Sequence, residues 1–184
     1  MPAVRTTLLL SALLVAASPQ AFPDDKNRIV FSRLAPVRIG LFLSDADGRN
    51  ERPLLPASNL DYDASFSADG KWIIFTSERG GSADIYRVHP DGAGLEQITD
   101  GPSYDDQAAL SPDGRTLVFV STRDDGTANI WLLDRAKHRY SNLTKNTNGN
   151  FRFAWSPNGK WIAFTPDRDT RSAVQNPPGS CCSL

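Results

Sequence analysis

The chain has 184 residues, 20 Lys and Arg against 21 Asp and Glu, a net charge of −1, and 40% apolar residues. That size and mix suit one globular domain or two, and the near-neutral charge supplies no electrostatic footprint for nucleic acid or an anionic membrane surface. The only two cysteines are the adjacent pair Cys181-Cys182, so the body of the chain has no disulfide framework and must cohere by packing.

In chain order, the first predicted element spans residues 1–17. Arg5 precedes the apolar run TTLLLSALLVAA, which ends in small residues around Ala16-Ala17. A charged start, a short apolar stretch and small residues are the layout of a secretory signal peptide, and a run of about 12 residues is too short to span a bilayer. Cleavage is expected after Ala17. A mobile apolar N-terminal helix is the alternative. The mature chain is therefore expected to be secreted or extracytoplasmic, in the periplasm if the source is Gram-negative.

Strands are predicted from about Arg28. Residues 28–60 hold IVFSRL at 29–34 and IGLFLSDADG at 39–48. Residues 61–104 hold four: DASFS, then KWIIFTS after the turn Ala68-Asp69-Gly70-Lys71, then DIYRVH and LEQIT. The Asp-Gly pair predicts a tight hairpin, because glycine accepts positive φ without a Cβ clash. KWIIFTS is apolar on both alternating faces, which predicts cover above and below. Residues 105–149 repeat the four-strand pattern, 150–171 hold its first half, and 172–184 read as an unstructured tail. No useful window beyond the signal shows a helical period.

The units repeat. FSADGKWIIFTSERG at 66–80 returns as LSPDGRTLVFVSTRD at 110–124 and WSPNGKWIAFTPDRD at 155–169. ADIYRVHPDG at 83–92 returns as ANIWLLDRAK at 128–137. Four short antiparallel strands every 44 or 45 residues make the chain all-β and correspond to the blades of a β-propeller, here about three blades' worth. A β-sandwich is the alternative architecture.

The pattern S-x-D-G-K-x-I-x-F-x-S-x-R resembles the WD40-like repeat of TolB-type propellers. It stands here as SADGKWIIFTSER, SPDGRTLVFVSTR and SPNGKWIAFTPDR. Related blades occur in the propellers that precede prolyl-oligopeptidase and tricorn-type protease domains. The resemblance runs from about Arg28 to Arg171, and it implies a six-bladed disc that binds a partner lipoprotein on one face. Fewer blades than six predict a truncated form of a longer propeller. Completion as a homo-oligomer and a stable three-bladed stack are the other readings. Blade faces lined by Ile74, Phe75, Ile162 and Phe164 are expected to lie partly open and to favour self-association.

Reactive chemistry is sparse. The G-x-S-x-G nucleophile elbow is missing, zinc-ligand spacing is missing, and His89 and His138 read as surface histidines. No catalytic residue, metal or cofactor is expected. Asp45-Ala46-Asp47-Gly48 reads as a hairpin turn rather than a calcium loop. Cys181-Cys182-Ser183-Leu184 fits a prenylation box only loosely. Asn142-Leu143-Thr144 is an acceptor for N-glycosylation at Asn142, and a chance match is an equal reading.

In a propeller the first strand of each blade lines the central channel. That gathers Tyr62, Asp63, Tyr104, Asp105, Asp106, Phe151 and Arg152 at the channel mouth, as the expected partner-binding residues. Glu78, Arg79, Arg123, Asp124 and Arg168 fall further out. Aromatics mixed with both charges suit a peptide or protein loop. The bland reading of Asp61, Asp63, Asp105 and Asp106 is turn chemistry plus interblade hydrogen bonds, and Arg79, Arg123 and Arg168 read as interblade struts. The function expected is a secreted, non-enzymatic module that binds protein or peptide. The propeller of a secreted prolyl-oligopeptidase-like peptidase, lacking its catalytic domain, is the alternative, and a lectin-like propeller binding calcium or sugar ranks below both.

Overall fold

The alternation of KWIIFTS sends successive side chains to opposite faces of a sheet, and in the computed structural model both faces are covered. The structure describes residues 28–35, 38–56, 60–145 and 150–166. The segment expected to be a signal peptide, the segment with Cys181 and Cys182, and Arg168 lie outside the described residues.

Those residues form thirteen strands and no helix. Strands β1 (Arg28–Ala35), β2 (Arg38–Asp45) and β3 (Arg52–Pro53) make a three-stranded sheet, blade 1. Strands β4 (Asp61–Phe66), β5 (Ile73–Ser77), β6 (Asp84–Val88) and β7 (Glu96–Gln97) make blade 2. Strands β8 (Asp105–Leu110), β9 (Thr116–Ser121), β10 (Asn129–Asp134) and β11 (Arg139–Asn142) make blade 3. Strands β12 (Asn150–Trp155) and β13 (Ile162–Pro166) form a two-stranded sheet, blade 4. Every pairing is antiparallel between chain neighbours, so the repeated stretches sit in separate sheets.

The core lies between sheets. Ile73 and Phe75 of β5 join Leu41, Leu43 and Leu54 of blade 1 in one cluster. Ile74 faces the other way and joins Ala108, Leu110, Leu117 and Phe119 of blade 3. One strand thus serves two interfaces, which explains its two-sided apolarity. Ile74 and Phe75 are both fully enclosed, contrary to the expectation that they sit on an open face, because blades 1 and 3 cover them. Phe164, the counterpart of Phe75 and Phe119, keeps 36% of its surface exposed, and Trp161 keeps 73%.

The turn after β4 is longer than the tight hairpin expected. Four residues, 68–71, connect a closing pair in which Ser67 N–H donates to Trp72 O at 2.8 Å. The Ser67 hydroxyl donates to Asp69 at 2.6 Å and accepts from Trp72 N–H at 2.9 Å, so a side chain closes the loop. Gly70 takes φ +68° at its end. Ser111 with Asp113 and Ser156 with Asn158 repeat the device.

Candidate functional site

The first strands of blades 2, 3 and 4 pack against one another, and each breaks register once. The breaks fall between Tyr62 and Ser65, between Asp106 and Ala109, and between Phe151 and Phe153. At each bulge one non-glycine residue has positive φ: Asp63 at 49°, Gln107 at 51° and Arg152 at 58°. Left-handed backbone costs a residue with a Cβ about 1–2 kcal/mol, and bulges of this kind re-aim side chains beside functional sites. Here Asp63, Ala64, Gln107 and Arg152 line a cavity of about 300 Å³. Arg152 N–H donates to Gln107 Oε1 at 3.1 Å, which ties blade 4 to blade 3 at its rim.

Beside the cavity two tyrosines bridge blades 2 and 3. The Tyr62 and Tyr104 hydroxyls are 2.9 Å apart, and Tyr62 donates to Glu78 Oε1 at 3.3 Å. With its proton directed to Glu78, Tyr62 accepts from Tyr104. Burial, then the Tyr104 contact, then the charges of Asp106 and Glu78 push the Tyr62 phenol far above its ordinary value. Burial raises Tyr104 as well, so both stay neutral. Tyr104 is 46% exposed, a ring held by its hydroxyl with one face free for contact.

Asp106 points into the seam between blades 2 and 3. Its Oδ1 accepts from Thr76 Oγ1 at 2.8 Å and from Gln107 N–H at 2.7 Å. Burial is the main reason its carboxyl rises to about 6, and neighbouring Asp63 adds to it against the pull of Thr76 and Gln107.

Asp105 does not join this group. It is wholly buried and held by Ser121 Oγ and the Arg123 guanidinium, so its carboxylate does not reach the mouth. Asp61 is held in the same way by Ser77 Oγ at 2.6 Å and Arg79 at 2.9 Å. Both arginines reach across a single hairpin, which corrects the expectation of struts between blades. Arg79 lies over the Tyr86 ring at 5.0 Å and Arg123 over Tyr140 at 4.0 Å, inside their own sheets. The interblade reading fits Asp106, through Thr76, and Asp105, whose N–H donates to Ala83 O of blade 2 at 2.8 Å, while the Asp61 carboxylate is held within its own blade.

Of the expected site residues the structure brings together Tyr62, Asp63, Tyr104, Asp106 and Arg152. The side chain of Phe151 lies outside the described residues. Gln107 and Thr76 were missed, although Gln107 is signalled by standing 44 residues after Asp63 and 45 before Arg152. At the glycosylation acceptor, Thr144 is buried and its Oγ1 accepts from Ile130 N–H at 3.0 Å, as Thr99 does from Ile85 N–H at 3.0 Å. That threonine thus has a structural use in both blades.

Comparison with known proteins gives these geometries a context. The family described as TolB beta propeller domain matches residues 9–124. An uncharacterized protein of Agrobacterium fabrum is 40% identical over 58 residues, which is 32% of this chain and 16% of that protein. The Tol-Pal system protein TolB of Syntrophus aciditrophicus is 37% identical over 57 residues, 31% of this chain and 13% of the relative. The crystal structure of TolB from Acinetobacter baumannii superposes with a TM-score of 0.65 at 25% identity, covering 74% of this chain and 34% of that one. Dipeptidyl peptidase 4 of Porphyromonas gingivalis superposes at 0.59 with 20% identity over 78% of this chain and 21% of its own, a likeness of fold alone. The matched part of this chain is about a third or less of the length of each of these proteins.

Proposed function

The chain belongs to the TolB beta-propeller family, and on that premise we propose that it is a non-enzymatic binding module whose channel mouth takes a protein or peptide segment. The observation that carries this is the Tyr62–Tyr104 bridge beside the cavity of Asp63, Gln107 and Arg152. Rigid tyrosines with one free face, charges of both signs and bulged backbone suit a polypeptide loop better than a small apolar ligand. A relative that is named a Tol-Pal system protein supports a part in a protein assembly. We further propose that the mature chain lies outside the cytoplasm, with residues 1–17 as its export signal, and that units 28–60, 61–104, 105–149 and 150–171 contribute to a larger disc; the likeness to Tol-Pal system proteins supports this reading.

The test is selection of binders from a random peptide library displayed on phage, followed by calorimetry on the full chain. The expected result is binding that Tyr62→Ala and Tyr104→Ala each weaken at least about tenfold while the melting temperature moves little, as for a contact hot spot. Binders that ignore both substitutions would place the site elsewhere. The likeness of fold to a dipeptidyl peptidase favours a second reading, the propeller of a secreted peptidase. That reading expects no peptide binding at the mouth and association instead with an α/β-hydrolase domain.

A further inference from the structure

Asp84 opens β6 opposite Ser77 and is 2% exposed. Its Oδ2 accepts from Ser82 Oγ at 3.0 Å and from Gln97 Nε2 at 3.2 Å, while its Oδ1 is buried with no hydrogen-bond partner among the described residues. Blade 3 fills the same position differently. There Asn129 stands opposite Ser121, its Oδ1 accepting from Thr144 Oγ1 at 3.2 Å and its Nδ2 donating to Thr127 O at 3.3 Å. Thr99, the counterpart of Thr144, sends no such bond to Asp84 Oδ1. An enclosed carboxyl with one oxygen unmet is far less stable charged than protonated.

Ser82 couples that carboxyl to the rim. Its hydroxyl has one proton and faces two acceptors, Asp84 Oδ2 and Gly101 O, the second at 3.3 Å. A charged acceptor draws a donor about twice as strongly as a neutral one, so ionised Asp84 takes the proton and neutral Asp84 shares it with Gly101. Residues 100–103 are fixed at their ends, by Thr99 N–H to Ile85 O and by Tyr104 N–H to Thr122 Oγ1 at 3.0 Å. We propose that Asp84 is a pH switch for residues 100–103, the rim segment leading into Tyr104, which Ser82 holds while the carboxyl is neutral and releases when it ionises.

The groups facing Asp84 offer it no free cation. On the side of β4 and β5, Asp61 and Arg79 are bonded to each other. On β6 itself burial keeps the Tyr86 phenol raised and neutral, and Arg87 is paired with Glu96 of β7. Arg123 is already bonded to Asp105 at the start of β8. Burial, with Asp105 and Asp100 behind it, holds the Asp84 carboxyl above its ordinary value against the pull of Ser82 and Arg123. Such a carboxyl contributes stability that is complete below the ordinary value and is lost as pH rises through the raised one. The rim segment is therefore held in acid and released toward neutral pH.

The bearing of the switch on the mouth rests on the peptide-binding reading. The switch itself is read in the free chain, so either can fail while the other stands. Carbon-13 titration of the Asp84 carboxyl and the Gly101 carbonyl in the full chain tests it. The expected result is an Asp84 midpoint above the ordinary aspartate value of about 4, with the Gly101 carbonyl shifting at that same midpoint. Ser82→Ala should leave Asp84 titrating and abolish its echo at Gly101. Asp84→Asn should flatten the fall in urea midpoint from mild acid to neutral pH. An Asp84 midpoint at about 4, or a Gly101 carbonyl that stays still while Asp84 titrates, overturns the switch.

Discussion

Arg79 and Arg123 are each held twice, by a carboxylate on the preceding strand and by aromatic rings beneath the guanidinium. Arg123 is 16% exposed and Asp105 not at all, so removing one leaves the other as an uncompensated charge in a poor solvent. Asp105→Ala is expected to lower unfolding free energy by about 3 kcal/mol in urea titrations, and the double change with Arg123→Met to recover part of that loss. A loss below about 1 kcal/mol would mean that water reaches the pair freely. The recurring Arg79, Arg123 and Arg168 were visible in the sequence, but their partners were not. Asp61 is opposite Ser77 and Asp105 opposite Ser121 only once the register is known. In the last unit Asn150 and Pro166 occupy those places, so the motif is not carried through.

Elements were legible wherever a period of two met a turn residue, and less so where the turn drew on side chains. The Asp-Gly pairs were correctly read as turns. Their length depended on serines that replace a backbone partner, a use of Ser67 and Ser111 that hydropathy does not record. Ser111→Ala removes one acceptor and one donor near a chain reversal and is expected to cost about 1 kcal/mol, read as a lower urea midpoint at constant slope. A changed slope would show that the loop alters the extent of folding instead. The bulges were illegible for a different reason. Asp, Gln and Arg share no propensity for left-handed backbone strong enough to reveal positions 63, 107 and 152, and only their common place in the repeat links them. They are where the cavity forms: Asp63 and Arg152 were expected at the mouth from the sequence, but Gln107 and the backbone bulges that aim all three were not.

The scale of the whole molecule is set by how sheets cover one another. Phe119 is enclosed by Trp131 and Leu133 of its own blade and by Ile74 and Ile85 of the next, whereas Phe164 keeps more than a third of its surface. Phe119→Ala is therefore expected to cost about 3–5 kcal/mol, and Phe164→Ala under about 1 kcal/mol in the same unfolding assay. Equal losses would mean that a further layer covers Phe164. The repeat made the stacking predictable, but which faces were open was misjudged for Ile74 and Phe75. A strand pattern tells how many sides are apolar and not which neighbour arrives to cover them. Trp161, Leu34 and Phe164 together offer exposed apolar area at opposite ends of the described chain, the surface on which the self-association expected from the sequence would depend.

Sheets that bond only to adjacent sheets have one more property. Asp105 N–H reaches Ala83 O, Ser65 reaches Ala108 O, and Trp155 Nε1 reaches Ala109 O, each linking one blade to the next and none skipping a blade. Cooperativity in such a stack is a nearest-neighbour quantity, like coupling along a row of spins. Melting should then fray inward from the two-stranded and three-stranded ends, and the boundary between the middle sheets should be the last to dissolve. A mutation's reach is accordingly short: damage in one blade is felt by the blade beside it and is nearly silent two blades away.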